Sequence, residues 1–260
     1  MKRFFNDLKK YRRYTTYAIK AELKAEVANS HISWMWWLLD PICFMIIYTF
    51  IAEVVFSHNE KYFPVFVFIG LTIWNFFSKV MTGSVKLVRK RKSVLTRVYL
   101  PKWILSIEKM GNLFFKMTIS FGLTIILMFI FQVPFSFQLF NMIPVILTLI
   151  IITFGFSTIL LHFGVFVDDL SNIVSILLRL VFYLSGIFYN VYQRVPDPYN
   201  RILCRGNPAA FIIEQSRKII LYQQVPDYMW LSIWFGIGLI LCLIGVATIY
   251  KYENSYAKVI

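Results

Sequence analysis

Lys79–Lys109 reads KVMTGSVKLVRKRKSVLTRVYLPKWILSIEK, and its reading decides the fold. Nine cationic side chains (Lys79, Lys86, Arg89, Lys90, Arg91, Lys92, Arg97, Lys102 and Lys109) stand against one acid, Glu108. The chain on either side is strongly apolar and aromatic. A lysine or arginine at the centre of a bilayer costs about 2.5–3.5 kcal/mol on insertion scales, so a cluster this dense belongs in water. By the positive-inside tendency that water is cytoplasmic. The apolar stretches before and after it then leave the cytoplasm in opposite chain directions.

Composition agrees. The 260 residues are 58% hydrophobic and 18% aromatic, with only 15% charged, against about 25% charged in ordinary soluble domains. The net charge of +14 does not point to nucleic acid, because the cations fall between apolar runs. Orientation and anionic lipid headgroups account for them. Cys43, Cys204 and Cys242 form no pairing framework, and two of them lie within apolar runs as small core residues. The first 26 residues lack the continuous apolar core of a cleavable signal peptide.

Read in order, the chain predicts an all-α membrane protein, a single transmembrane domain over 1–260 with six transmembrane helices. Residues 4–28 repeat Leu8, Tyr11, Tyr14, Ala18, Ala21 and Ala25 at three- and four-residue spacing, with eight cations before residue 25. This is an amphipathic helix for the membrane interface, or else a solvated one. Spans are expected at 32–56, 63–78, 112–131, 142–167, 171–189 and 228–250. Ser30 is a candidate cap for the first span, and Trp34, Trp36 and Trp37 form an aromatic belt at its start. Asp40, one or two turns inside it, is expected to snorkel or pair, and Lys116 is expected to reach headgroups. The uncharged VPFSFQLFN (133–141) reads as an external turn. A cytoplasmic coupling helix is expected within 84–107. Residues 190–227, with four prolines and the run AFIIEQSRKIILY, suggest short external re-entrant helices before the last span. Both termini come out cytoplasmic. Five cations (Arg194, Arg201, Arg205, Arg217 and Lys218) are left on the outside, where binding an anion explains them better than topology. Arg179, near the middle of the fifth span, is the most costly charge.

No phosphate-binding loop, HExxH, CxxC or GxSxG occurs. His31, His58 and His162 are scattered and read as structural. The pair Asp168-Asp169 is a weak candidate for the metal site of a lipid-phosphate transferase. It is a better candidate for capping the fifth helix.

Four segments carry a resemblance. NSHISWMWWLLDP matches Ser-x-Leu-Gly-x-x-Trp-x-x-x-x-Pro through Ser30, Trp36 and Pro41. IGLTIWNFF matches Gly-x-x-x-Trp through Gly70 and Trp74. VYLPKWILS matches a segment bearing Phe-Pro through Pro101. VPDPYNRILCRGNPAAFIIEQSR matches a re-entrant segment through Asn207, Pro208 and Arg217. The chain resembles the permease subunit of ABC-2 type polysaccharide exporters, which move O-antigen, capsular polysaccharide and teichoic acid. Departures are Ile32-Ser33 for Leu-Gly, Leu100 before Pro101, Ser106 at a second proline and Gly186 in the fifth span.

The resemblance implies a homodimer in the bacterial cytoplasmic membrane that binds two copies of an ABC ATPase subunit. ATP and Mg sit on that partner, and this chain is a transport subunit without a cofactor or metal of its own. It implies an undecaprenyl-diphosphate-linked polysaccharide as cargo, membrane lipids as surroundings and no nucleic acid. ATPase coupling would fall on Arg89, Arg91, Arg97, Tyr99, Pro101, Asp168 and Asp169. Access of the lipid diphosphate would fall on Lys20, Lys24, Ser30, Ile32 and Ser33, with Arg89, Arg91 and Arg97 supplying further charge. The polymer path would run past Trp34, Trp36, Trp37, Tyr48, Arg179, Phe182 and Tyr189, and Asn207, Pro208 and Arg217 would form the re-entrant element. A permease for a small lipid or drug is the alternative; a membrane-embedded lipid-sugar transferase is less favoured.

Overall fold

A computed structural model describes residues 2–28, 33–51 and 62–259, and among the described residues every regular element is helical. In order these are α1 (Lys2–Ala28), α2 (Trp36–Phe50), α3 (Phe63–Val85), α4 (Leu87–Lys90), α5 (Lys92–Leu95), α6 (Trp103–Ile130) and α7 (Met142–Phe166). There follow α8 (Leu170–Leu184), α9 (Val191–Arg194), α10 (Tyr199–Gly206), α11 (Pro208–Ile220), α12 (Tyr228–Lys251) and α13 (Glu253–Val259).

The centre is α3. Its apolar residues surround the helix instead of forming a stripe, which is the pattern of a helix enclosed on all sides. Of its 23 residues 18 are buried, against α2, α6, α7, α8 and α11. Lipid tails are as apolar as leucine, so helices in a membrane are held by close van der Waals packing, which small residues permit. The α7–α12 pair has this character. A Cβ on Gly155 would lie 2.6 Å from that of Leu241, and one on Gly245 would lie 2.0 Å from Thr158 Oγ1. Gly164 of α7 is as tight, and against backbone: its Cβ would stand 2.0 Å from the Val85 carbonyl oxygen at the end of α3. Backbone cannot yield as a side-chain tip does. Gly164→Ala is therefore expected to cost several kcal/mol, about the scale of other severe overpacking, seen as a lowered thermal midpoint in detergent.

Among the described residues, four helices are long and apolar enough to cross a membrane: α3, α6, α7 with the 3-10 turn before it, and α12. The protein is a multi-pass membrane protein. Of the two other expected spans, α2 covers 36–50 of 32–56, with 32 and 52–56 outside the described residues, and α8 covers 170–184 where 171–189 is expected. At 1.5 Å per residue the 15 residues of α8 reach about 22 Å, short of the roughly 30 Å hydrocarbon layer.

The boundaries around the basic stretch also move. The second span does not stop at Ser78 but runs to Val85, and the third begins at Trp103 rather than 112. Between them lies no single coupling helix but the short turns α4 and α5 and an extended run to Pro101. The cause is a second apolar cluster. Leu87, Val88, Leu100, Trp103 and Ile104 are buried with Val165, Ile249 and Tyr256, and Phe4, Tyr11 and Tyr14 pack on them. The C-terminal tail, which reads as polar, forms α13 and closes this cluster. His162 is buried with it and shares a 2.6 Å hydrogen bond with the Tyr256 hydroxyl.

Candidate functional site

At the basic end, α1 lies along α6 and is held by charge. Arg91 Nη2 donates to Glu22 Oε2 at 2.9 Å and to Glu108 Oε1 at 2.5 Å, and Lys109 stands 3.7 Å from Glu22. Glu108, the one acid of the stretch, is 3% exposed. Two turns further along α6, Lys116 Nζ meets Glu26 Oε2 at 2.6 Å, so it pairs with α1 rather than reaching a headgroup. Arg89 donates to the Val165 carbonyl at 2.9 Å and pairs with Asp168. Asp169 occupies the cap position of α8 without a side-chain capping bond, so the expected capping role is not met. Tyr99 accepts from Arg3 at 2.7 Å and donates to Glu253, which ties the two terminal helices to the turn before Pro101. Tyr11 donates to the Tyr99 carbonyl at 3.1 Å.

Two cavities flank the basic half of α3. The first, about 380 Å³, lies between α2, α3 and α6 and is lined by Trp36, Trp37, Asp40, Thr72, Lys79 and Lys116 among others. The second, about 520 Å³, lies between α3 and α8, where Lys79 and Arg179 face Trp74, Phe182 and Tyr183. Lys79 belongs to both. It pairs with Asp40 at 3.5 Å, so the pairing expected of Asp40 is made with α3. Of the expected polymer-path residues, Trp36 and Trp37 line the first cavity, and Arg179 and Phe182 the second. Tyr48 stacks on Phe188 with centroids 3.6 Å apart, and Tyr189 donates to the Tyr183 carbonyl at 2.9 Å. Trp34 is exposed.

Arg97, Lys20 and Lys24 are exposed. Ser30 and Ile32 lie outside the described residues, and Ser33 opens a short 3-10 turn. Lys20 and Lys24 line neither cavity.

At the other end of α3 the arrangement is closed. Asn207 caps α11, accepting from the Ala209 and Ala210 amides at 3.0 and 3.3 Å, with Pro208 at the first helical position. Its amide donates to Ser185 Oγ at 2.9 Å. Arg217 is buried and donates to the carbonyls of Phe66 (3.1 and 3.2 Å), Gly186 (2.7 Å) and Ile187 (2.7 Å). Its guanidinium lies 3.4 Å from the Phe66 ring centroid. A Cβ at Gly70 would come 2.8 Å from Nη2. Arg217 therefore reaches into the bundle rather than standing in an external loop. Its guanidinium meets the α3 backbone, which explains why glycine stands one turn along α3.

A family model for ABC-2 type transporters matches residues 16–221, from within α1 to the end of α11. The chain belongs to the ABC-2 type transporter family. Curated relatives of this ABC-2 chain include an O-antigen export system permease protein from Klebsiella pneumoniae, 26% identical over 242 residues and covering 92% of both chains. Another bearing the same description, from Myxococcus xanthus, is 26% identical over 227 residues and covers 87% of both.

Sequence reading of this ABC-2 chain missed Glu22, Glu26 and Thr72, and took Lys79 as one cation of the basic stretch rather than a residue of α3. Only Glu108 carried a signal, as the single acid among nine cations. Cys204, read as external, is 1% exposed, and burial pushes its thiol up to about 12. Little thiolate forms at neutral pH. An impermeant maleimide is expected to leave Cys204 unmodified in the folded protein and to label it after denaturation, as mass spectrometry of the α10 peptide will check.

Proposed function

We propose that this chain is the membrane subunit of an ATP-driven exporter that carries an undecaprenyl-diphosphate-linked polysaccharide across the bacterial cytoplasmic membrane. The observation that carries the reading is its end-to-end similarity to permeases of O-antigen export systems. The α3–α8 cavity supports it chemically. Rings of Trp74, Phe182 and Tyr183 offer faces on which the CH-rich side of a sugar packs. Arg179 and Lys79 beside them suit an anionic substituent.

The working unit in this reading is a homodimer with two copies of a separate ATPase, which binds ATP and Mg. Ile173, Ile176, Leu177, Leu180 and Leu184 leave one apolar face of the short helix α8 exposed, which suits a second copy. α4, α5, Arg97 and the exposed Asp168 form the ATPase-facing surface, and both termini lie in the cytoplasm. ATP-driven closure of the partner would shift the population between closed and open helix arrangements.

The test is co-purification with an ABC ATPase in nanodiscs. Hydrolysis is expected to rise on adding lipid-linked polysaccharide and not on adding the free sugar. A rise with small amphiphiles alone would instead favour a lipid or drug permease.

A further inference from the structure

Two lysines within the long membrane helices need an account. Lys79 lies inside α3 and Lys116 inside α6, and ionisable groups at such positions mark functional sites by default. Both line the cavity between α2, α3 and α6, but Lys116 is held by Glu26 at 2.6 Å, whereas Lys79 has only the longer contact to Asp40. Opposite them, Trp37 stands with its ring centroid 5.0 Å from Lys116 Nζ. Pro41, in the wall, leaves the Trp37 carbonyl without its i→i−4 donor. Thr72, 3% exposed, aligns with the same cavity, and its hydroxyl has no hydrogen-bond partner among the described residues.

We infer that this cavity binds the phosphate or diphosphate headgroup of a membrane lipid, and that Lys79 exchanges Asp40 for that headgroup when it does. The Asp40–Lys79 contact is long, at 3.5 Å, and both side chains are about half exposed, at 45% and 54%. An ion pair of that kind is weak and yields to a better partner. A phosphate oxygen accepts stronger, shorter charge-assisted bonds from ammonium groups, and it can also accept from the Thr72 hydroxyl. The walls of Trp36, Trp37 and Phe76 suit the first carbons of an acyl or prenyl chain. Because Lys79 also borders the α3–α8 cavity with Arg179, a headgroup held there sits next to the aromatic groove.

The site stands on its own geometry; naming the lipid as the carrier of a polysaccharide rests on the proposed function. The experiment uses the full chain in detergent, with bound lipid counted by native mass spectrometry. Undecaprenyl diphosphate, phosphatidylglycerol and inorganic pyrophosphate form separate arms. Lys79→Gln is expected to weaken lipid binding by about tenfold or more, and Lys116→Gln by less, because Glu26 already holds that ammonium at 2.6 Å. Lys79→Arg should retain binding. Asp40→Asn should tighten it by roughly threefold, because the competing carboxylate is gone. Ser232→Ala, in α12 at the other end of the bundle, should change nothing.

This pattern with either lipid supports the site, and the tighter of the two names the source. Binding undiminished in Lys79→Gln overturns the proposal, as does weaker binding in Asp40→Asn. Pyrophosphate binding as tightly as the lipids overturns the lipid assignment. Should Lys79→Gln fail to fold, the Asp40→Asn and Lys79→Arg results decide. Failure of polysaccharide export with lipid binding intact would count against the exporter reading alone.

Discussion

Arg217→Leu is expected to lower the thermal midpoint of the detergent-solubilised protein by roughly 10 °C. The substitution leaves carbonyls of Phe66, Gly186 and Ile187 without the donors they have in the native protein. Hydrogen bonds to charged groups are worth about 1.5–3 kcal/mol, and removing one partner of a buried charged network costs about 3–5 kcal/mol. At about 2–4 °C per kcal/mol for a chain of this length, the loss is plain in a melting curve. Gly70→Ala should act in the same direction but less, since its Cβ meets the tip of the Arg217 side chain rather than backbone. The two changes together should cost less than their sum, because each disturbs the same guanidinium. An unchanged midpoint in Arg217→Leu would mean that α11 is held to α3 by apolar packing alone.

Arg91→Glu is expected to detach α1 from α6 and to abolish export, with less than a tenth of the wild-type rate remaining. It would place a third carboxylate between Glu22 and Glu108, where the native arginine bridges both. Glu108 is buried, so the repulsion is poorly screened and far exceeds that of a surface pair. Limited proteolysis after Lys20 or Lys24 checks the detachment, and ATP hydrolysis with the partner checks the coupling. Glu108→Arg added to Arg91→Glu should restore part of the protection by reversing the pair. Arg97→Glu, exposed and without a salt bridge among the described residues, should leave α1 docked. Rapid cleavage in Arg97→Glu as well would show that the protection does not depend on Arg91 bridging the two carboxylates.

Charge density and apolar runs made the all-helical membrane class legible, because both follow from the solvation cost of single residues. Contacts were less legible, because they depend on residues distant in the chain. Lys79 opened the basic stretch and looked like loop, yet it lies inside α3: the run Val80–Val85 continues the apolar packing, and Gly164 lets α7 approach it closely. Leu87, Val88 and Leu100 looked like spacers among cations but are anchors of the second core. Asn207, Pro208 and Arg217 were singled out by motif alone. Their physical role appears only when α11 is set against α3 and the turn after α8. Arg89 and Arg91 stood out as free docking charge, and the acids that occupy them sit in α1, α6 and the turn before α8, out of reach of any local pattern.

The glycine-mediated seam between α7 and α12 bears on how the molecule can move. Two helices in near backbone contact cannot slide past each other without collision, so they behave as one stiff plank, with α3 pressed against its edge. Any gap wide enough for a bulky cargo must then open along α2 and α8, which pack on α3 and not within the plank. Crosslinks across the plank should be harmless to turnover, while a tether from α2 to α8 should stall it.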